Sequence, residues 1–134
     1  YYIRLINKKV FLFHQSKNKM IDLLNIWVEK IRTNDASQVA DLYHREGLLL
    51  GTFSNVERKG QKLILDYFKN LFTSQVDVKI IRKHEYKAEL IFTASGFYNF
   101  EVNDNIIEAR FSFVFLKSKE GWKILSHHSS VLPK

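Results

Sequence analysis

The second half of the chain carries four long segments of strand-forming residues, and this pattern restricts the fold more than any other feature. From Val76 onward, β-branched and aromatic residues alternate with polar ones, which predicts strands near residues 76–85, 88–102, 106–117 and 121–131. The stretches VNDNI and KSKEG, which separate the last three segments, are typical of hairpin turns. Consecutive strands joined by short turns predict an antiparallel meander.

The residues before this meander have helical periodicity instead. Apolar side chains recur at three- and four-residue spacing from Ile21 to Ile31, and Thr33-Asn34-Asp35 predicts the end of this first helix. A second helix fits ASQVADLYH, with Asp35 as its cap and with these side chains inward: Val39, Leu42 and Tyr43.

A short strand and a third helix complete the predicted elements. GLLLGTF predicts a buried strand, SNVERKG a turn, and QKLILDYFKNLF a helix. The broad apolar face of that helix comprises Leu63, Ile64, Tyr67, Phe68 and Phe72. The sequence therefore predicts an α+β fold, a single domain over residues 20–134 with N-terminal helices packed on one face of a curved antiparallel sheet.

The third long strand indicates that both faces of the sheet are covered. In IIEARFSFVFLK, one face carries Ile107 and a row of phenylalanines, and the other also becomes apolar toward Val114 and Leu116. Helices can cover one side of the sheet. We expect a second subunit on the other side, in a homodimer or a larger homo-oligomer.

The positive charge is concentrated at the N-terminus. The chain of 134 residues has 21 basic and 14 acidic side chains, a formal net charge of +7. Five of the basic residues lie within residues 1–19, which contain no acidic residue, so residues 20–134 have 16 basic against 14 acidic side chains. We interpret residues 1–19 as a basic extension outside the core domain, and the nearly neutral remainder argues against a nucleic-acid partner.

Cysteine usage and hydropathy exclude several classes. No cysteine is present, which excludes disulfides, zinc fingers and thiol catalysis. No apolar run approaches the length of a membrane span, and the patch Val10–Phe13 is too short for the apolar core of a signal peptide. These features disfavour a membrane association and favour a cytoplasmic location, although the compartment itself stays open.

The last predicted strand contains four consecutive polar residues, His127-His128-Ser129-Ser130, after Ser126. Strict alternation places His127 and Ser129 on one face with Leu125, and it places Ser126, His128 and Ser130 on the other face with Ile124. These side chains either satisfy one another at a strand end or line a pocket. In a pocket, a neutral imidazole suits proton transfer and a serine hydroxyl suits binding of a small oxyanion.

Two common kinds of catalytic site are disfavoured. The glycine elbow that exposes a nucleophilic serine is absent, so a triad is not indicated. Adjacent histidines on a strand face apart, and His14, His44 and His84 lie in unrelated contexts, so a three-histidine metal site is not indicated. Three further residues, Thr52, Tyr67 and Tyr98, fit either a core or a pocket wall.

Three parts of the sequence together resemble a known family. WVEKIRTNDASQVADLYHREGLLLGTFSNVERKGQKLILDYFKNLF, then ASGFYNF, then ARFSFVFLKSKEGWKILSHHSSVLP resemble the association domain of calcium/calmodulin-dependent protein kinase II and its bacterial relatives, members of the nuclear transport factor 2-like superfamily. The ending HHSSxxP, with LLxTxS and DYF, resembles the iota-class carbonic anhydrases. The resemblance covers roughly residues 20–133.

The resemblance implies a cone-shaped fold with a pocket between helices and sheet, and dimers formed through the sheet. It also implies reversible hydration of CO2 to bicarbonate without a bound metal, although a divalent metal stays compatible with it. The implied catalytic residues are His127, Ser129, Thr52 and Tyr67. The implied substrate-binding residues are Thr52, Tyr67, Tyr98, His128 and Ser129.

The sequence departs from these relatives at three positions. Gly51 stands where many of them have proline, and Phe111 and Ser112 stand where tyrosine and threonine are common. A non-catalytic association module that binds a small anion or metabolite is the first alternative function. An isomerase, cyclase or dehydratase is the second, and it is disfavoured because no acid lies clearly on the expected pocket face.

Overall fold

The computed structural model describes residues 21–134, which form three helices and a six-stranded sheet. Two helices precede the first strand, and the third helix lies between the second and third strands. The prediction of a basic extension over residues 1–19 lies outside the described residues. The helices are α1 (Leu23–Arg32), α2 (Ala36–Ala40) and α3 (Gln61–Leu71). The strands are β1 (Tyr43–Leu50), β2 (Arg58–Lys59), β3 (Val76–Lys87), β4 (Ile91–Val102), β5 (Asn105–Ser118) and β6 (Gly121–Val131).

The sheet has the order β2-β1-β6-β5-β4-β3, and its four C-terminal strands form the predicted antiparallel meander. The prediction of a wholly antiparallel sheet was wrong in one respect, because β1 runs parallel to β6. The long segment that separates these two strands along the chain, which contains α3 and the strands β3 to β5, provides the crossover that parallel neighbours require. The sheet is therefore mixed, and the end of β1 lies beside the histidines and serines of β6.

The turn between β4 and β5 consists of two residues. Asn103 and Asp104 both have positive φ, of 47° and 71°, as the two central residues of a type I′ turn require. Asparagine and aspartate adopt this conformation more readily than other residues with a side chain. This turn fixes the register between β4 and β5 over their whole length, Ile91↔Leu116 to Val102↔Asn105.

The second helix is shorter than predicted. Asp35 caps it by accepting hydrogen bonds from Ser37 N and Gln38 N, but the helix ends at Ala40 instead of continuing to His44. Tyr43 begins β1 because its backbone pairs with Ile124 of β6 and its carbonyl oxygen accepts a hydrogen bond from Gln61 Nε2. Pairing within the sheet thus overrides the helical periodicity at this point.

A β-bulge in β6 changes which residues share a face. The register with β5 shifts between Val114↔Ser126 and Phe115↔Ile124, so Leu125 is the extra residue. Ile124 consequently lies on the inward face with His127 and Ser129, and the grouping of Leu125 with these two residues was wrong. A second bulge lies in β3 at Ile81, near the pair of Lys83 with Gly96, and a Cβ at Gly96 would overlap the backbone of Arg82.

The core lies between the helices and the inward face of the sheet. Trp27 of α1 stacks on Tyr98 of β4 and meets Phe113 of β5 edge-on, with ring centroids 5.8 and 5.1 Å apart. In α3, Leu63 is 40% exposed although it was expected to face inward, and Leu71 is buried in its place. Ile64, Tyr67 and Phe68 are buried as predicted, so the buried face of α3 is narrower than expected but has the predicted direction.

The outward face of the meander is exposed in the single chain. Ile106 is 68% exposed, and Arg110, Ser112 and His128 are also exposed. A second subunit on this face stays a prediction. Within residues 21–134, no helix combines the length and the apolar character that crossing a membrane requires.

Candidate functional site

Two polar side chains are buried beneath the helices. His127 and Ser129 are 2% and 5% exposed, and they are the only side chains other than hydrophobic ones that are buried among residues 21–134. Both project inward from β6 into a core that is otherwise aromatic and aliphatic. A buried polar group is costly unless it has hydrogen-bond partners, so the neighbours of these two residues define the site.

Both ring nitrogens of His127 contact tyrosine hydroxyls. The Tyr43 hydroxyl lies 2.8 Å from Nδ1, and the Tyr98 hydroxyl lies 3.1 Å from Nε2. Trp27 donates its indole N–H to the Tyr43 hydroxyl at 3.1 Å. The imidazole is therefore fully satisfied by three elements, α1, β1 and β4, that meet over β6.

These contacts fix the direction of the hydrogen bonds. An indole N–H can only donate, so Tyr43 accepts from Trp27. The Tyr98 hydroxyl donates its one proton to Ser129 and can only accept at Nε2 of His127, so Nδ1 is unprotonated and accepts from Tyr43. The neutral imidazole then carries its proton on Nε2 and donates it to Tyr98. Tyr98 in turn donates to Ser129 Oγ at 2.5 Å.

Thr52 completes this series and brings it to the surface. Its Oγ1 lies 2.5 Å from Ser129 Oγ, and because Ser129 accepts from Tyr98, its own proton is available for Thr52. The series is called the hydrogen-bonded chain below, and its members in order are Trp27, Tyr43, His127, Tyr98, Ser129 and Thr52. The groups from Trp27 to Tyr98 donate toward Ser129, and either hydroxyl of the Thr52–Ser129 pair can donate to the other. This pair uses one of its two protons internally, so one hydroxyl proton is left for a group outside the core.

An open cleft lies at this end of the chain. It has a volume of about 330 Å³, and its wall comprises Thr52, Ser129, neighbouring residues of the segment 50–57 and residues 128–131 of β6. His128 and Ser130 contribute to the same wall from the other side of β6. We call this space the hydroxyl cleft, and it gives water and a small molecule access to the Thr52–Ser129 pair.

Burial keeps the groups inside the core neutral. Desolvation lowers the pKa of His127 from 6.5 to about 3, with a smaller contribution from the charge of His128. Desolvation likewise raises the pKa of Tyr98 and of Tyr43 well above that of a free phenol. Near neutral pH, the hydrogen-bonded chain is therefore uncharged from end to end.

The aromatic shell holds the imidazole in one orientation. The Phe113 ring stacks on His127 with centroids 3.8 Å apart and planes inclined by 15°, and the Trp27 ring meets the imidazole edge-on. Phe111 packs against the Tyr98 ring with centroids 4.6 Å apart. These contacts leave no room for a different rotamer of His127 without displacement of the core.

Tyr67 lies beside the hydroxyl cleft but outside the hydrogen-bonded chain. Its hydroxyl accepts a hydrogen bond from Phe53 N at 3.3 Å, and burial raises its pKa to about 12. The ring occupies the space that a side chain at Gly51 would need, since a Cβ there would overlap Tyr67 Cζ. The lack of a side chain at Gly51 is thus what allows this position of Tyr67.

The structure brings four of the sequence-predicted residues together and separates two. His127, Ser129, Thr52 and Tyr98 are consecutive in the hydrogen-bonded chain, whereas Tyr67 and His128 make no hydrogen bond to it. Sequence reasoning missed Trp27 and Tyr43. A signal existed, because buried indole and phenol groups require polar partners, but the sequence did not show which ones.

No metal centre is formed by the described residues. Within residues 21–134, no three side chains of histidine, aspartate or glutamate lie together in a way that could hold an ion. His44 follows Tyr43 directly, but its Nδ1 accepts from Glu46 N, and neither His44 nor His84 forms a hydrogen bond with the hydrogen-bonded chain among the residues described.

Helices packed on a curved sheet, with a few polar groups buried between them, define a protein of the nuclear transport factor 2-like superfamily. Residues 21–133 match the model of the SnoaL-like domain family, and the chain belongs to this family. A search among curated proteins found no significant match.

Solved structures support the same assignment. A protein from Xanthomonas campestris, described as a calcium/calmodulin dependent protein kinase II association domain, is 30% identical, with 84% of each chain covered and a TM-score of 0.79. A nuclear transport factor 2-like protein of unknown function from Pseudomonas putida KT2440 is 11% identical, with 90% of this chain and 89% of that chain covered and a TM-score of 0.77.

A third structure shows the breadth of the fold. A protein from Streptomyces avermitilis, described as a dehydratase of the nuclear transport factor 2-like family, is 13% identical, with 82% of this chain and 91% of that chain covered and a TM-score of 0.73. At this identity the likeness concerns the fold alone. The superfamily resemblance and the α+β fold predicted from the sequence are confirmed.

Proposed function

We propose that this protein hydrates CO2 reversibly to bicarbonate at the Thr52–Ser129 pair of the hydroxyl cleft. The observation that carries the proposal is the 2.5 Å contact between these two hydroxyls at the exposed end of the hydrogen-bonded chain. The same residues carry the sequence resemblance to the iota-class carbonic anhydrases. A pair of fixed hydroxyls is suited to a small, planar substrate that becomes an oxyanion.

The reaction needs only CO2 and water. The oxygen of a water held in the cleft attacks the carbon, and one C=O electron pair moves onto the oxygen that becomes the bicarbonate oxyanion. The Thr52–Ser129 pair donates the hydroxyl proton that it does not use internally to that oxygen as its charge develops. The water loses one proton, and bicarbonate leaves.

The released proton leaves through His128 rather than His127. His128 is exposed and lines the hydroxyl cleft, so its imidazole can take the proton and pass it to solvent. Nδ1 of His127 already accepts from Tyr43, and its pKa of about 3 opposes protonation near neutral pH. In this proposal, His127 is a positioning residue that holds Tyr98, and through it Ser129, in place.

A non-catalytic association module that binds a small anion is the second candidate. The observation that favours it is the neutrality of the hydrogen-bonded chain, because no group in it is a strong base near pH 7. The 30% identical relative from Xanthomonas campestris, described as an association domain, also supports it. In this role, the Thr52–Ser129 pair would bind an anion without activating water.

An isomerase or dehydratase reaction is less well supported. Such reactions require a base that removes a proton from carbon, commonly a carboxylate of raised pKa. Among residues 21–134, no aspartate or glutamate is buried, and the buried polar residues are His127 and Ser129. The wall of the hydroxyl cleft does contain one acid, Glu57, which the sequence argument did not anticipate, but Glu57 is exposed and so lacks the burial that raises the pKa of such a base.

Stopped-flow measurement of CO2 hydration by chelator-treated protein tests the proposal. We expect activity above buffer, and we expect Thr52→Val and Ser129→Ala each to reduce it about a hundredfold, as loss of one oxyanion donor does elsewhere. Ser126→Ala is the matched control, because Ser126 lies on the same strand but makes no side-chain hydrogen bond among the residues described.

Each outcome of this experiment distinguishes the two candidates. The binding module is indicated if the full-length protein has no activity above buffer but binds bicarbonate saturably, and if Ser129→Ala abolishes that binding. Activity that disappears with chelator and returns with one added metal contradicts the metal-free reaction. Equal activity of Ser129→Ala and Ser126→Ala places the reaction elsewhere.

A further inference from the structure

A second cavity lies on the other side of the segment 50–57, next to the C-terminal end of α3. It has a volume of about 260 Å³, and its polar wall comprises Arg58, Tyr67, Asn70 and Ser74. Its apolar wall comprises Phe53, Leu71 and Val102. This space is called the arginine cavity below. It has no part in the hydrogen-bonded chain.

The guanidinium of Arg58 lacks partners for one of its edges. Nε is buried and has no hydrogen-bond partner, and Nη2 has only the Ser54 hydroxyl, at 3.3 Å. Nε and Nη2 form the edge with which arginine binds both oxygens of a carboxylate. A buried donor without a partner costs about 1 to 3 kcal/mol, so a ligand that satisfied this edge would recover that free energy.

No carboxylate of the protein neutralises Arg58. None of the ion pairs found in residues 21–134 involves it, and residues 1–20 contain no aspartate or glutamate that could serve as its partner. The positive charge extends into the cavity, where it favours the ionised form of the Tyr67 phenol even though burial dominates that group. The arginine cavity is thus an electropositive space with an unused carboxylate-binding edge.

The rest of the wall restricts the class of anion. The cavity is smaller than those that take drug-sized ligands, and part of its wall is apolar. The last turn of α3 contributes Asn70 and Leu71, and the negative end of the helix dipole opposes any anion there, a doubly charged ion such as phosphate more than a singly charged one. A single positive charge beside an apolar wall fits a monoanion that has a short hydrocarbon tail.

We propose that the arginine cavity binds a small aliphatic monocarboxylate, with its carboxylate on the Nε–Nη2 edge of Arg58 and its tail against Phe53, Leu71 and Val102. Arg58 adjusts its side chain on binding so that Nε reaches the ligand. The Asn70 and Ser74 side chains supply further polar contacts at the cavity wall. This proposal concerns a cavity separate from the hydroxyl cleft, so it is independent of CO2 hydration.

Calorimetric titration of the full chain with sodium butyrate tests this proposal. We expect saturable binding that Arg58→Gln weakens about tenfold or more, the effect of losing a charge-assisted hydrogen bond. Arg45→Gln is the matched control, because Arg45 is exposed and lies on the neighbouring strand β1, outside the cavity wall. Butyrate should also bind more tightly than inorganic phosphate or bicarbonate at equal ionic strength.

A nuclear magnetic resonance titration of the parent protein keeps the proposal testable if Arg58→Gln does not fold. Butyrate is expected to shift the Arg58 Nε–H resonance and the backbone amides of residues 70–74, and Arg58→Lys, which keeps the charge but loses the fork, should bind more weakly. Absence of saturable binding, equal weakening by Arg45→Gln, or tighter binding of phosphate would each overturn the proposal.

Discussion

The two faces of β6 carry the same residue types in opposite environments. His127 and Ser129 point inward, are buried and have hydrogen-bond partners on several elements. His128 and Ser130 point outward, where His128 is exposed and Ser130 is half-buried. Histidine followed two positions later by serine therefore occurs twice within four residues, once as part of the core and once at the surface.

This difference between the two faces of β6 shows that the direction in which a side chain points, rather than its residue type, decides its role. On the inward face, each polar atom replaces water with a protein partner, and removal of one member leaves its neighbours unsatisfied in a medium of low dielectric constant. On the outward face, water replaces any partner that is lost. The hydrogen-bonded chain is consequently a cooperative unit, whereas His128 and Ser130 act singly.

Replacement of the two histidines should show the largest contrast. We expect His127→Ala to lower the free energy of unfolding by about 3 to 5 kcal/mol, because it leaves a cavity beside Phe113 and orphans the Tyr43 and Tyr98 hydroxyls. His128→Ala should change it by about 0.5 kcal/mol or less. Urea unfolding followed by tryptophan fluorescence measures both values.

Similar losses in the two variants would contradict the contrast. If His127→Ala does not fold, the more conservative His127→Asn keeps a polar group at the site and provides a measurable loss. His84→Ala, on the exposed part of β3, serves as the control for histidine replacement in a strand.

The pH dependence of stability should show the next largest effect. The pKa of His127 is lowered from 6.5 to about 3 on folding, mainly by desolvation. Between these values, the unfolded chain binds the proton and the folded protein does not, so stability present above pH 6.5 is lost as the pH falls toward 3. At pH 4.5, this one group should lower the free energy of unfolding by about 2 to 3 kcal/mol.

The contribution of His127 is isolated by comparison with His127→Phe. The pKa values of Asp35 and Asp77 are also lowered, by their hydrogen bonds to Gln38 and Arg32 respectively. Protonation of these two carboxylates destabilises the fold at low pH, but it does so equally in the parent protein and in His127→Phe. The difference in unfolding free energy between parent and variant should therefore shrink from pH 7 to pH 4.5. A difference that stays constant would mean that His127 is protonated normally in the fold.

Most of the fold follows from local sequence signals. The four strands of the meander and the turn at Asn103-Asp104 depend on alternation and turn chemistry within a few residues, and both were predicted. The end of α2 at Ala40 and the parallel pairing of Tyr43 with Ile124 were not, because they depend on β6, some eighty residues later in the chain. Long-range pairing of this kind leaves no local pattern.

The candidate site was predictable only in part for the same reason. Alternation places His127 and Ser129 on the same face. The bulge at Leu125 places Ile124 on that face as well, and it depends on pairing with β5. The link from Tyr43 to His127 spans 84 positions, and the position of Tyr67 depends on contact with Gly51. Each of these features arises where two elements meet, and the sequence specifies only the elements.

Replacement of the two serines should show the smallest contrast. We expect Ser129→Ala to lower the free energy of unfolding by about 1 to 2 kcal/mol, because the buried Tyr98 hydroxyl loses the acceptor for its proton. Ser130→Ala should have an effect within about 0.5 kcal/mol, since no side-chain hydrogen bond of Ser130 is found in the described part of the chain. Chemical denaturation at pH 7 measures both.

A double-mutant cycle with Tyr98→Phe distinguishes a cooperative chain from two independent contacts. Tyr98 bridges His127 and Ser129, so its removal already abolishes the bond that Ser129→Ala would break. The double variant should therefore lose about 1 kcal/mol less than the sum of the single losses. Strictly additive losses would mean that Ser129 is stabilised by Thr52 alone, and the polar groups on the inward face of β6 would then act independently, as His128 and Ser130 do on the outward face.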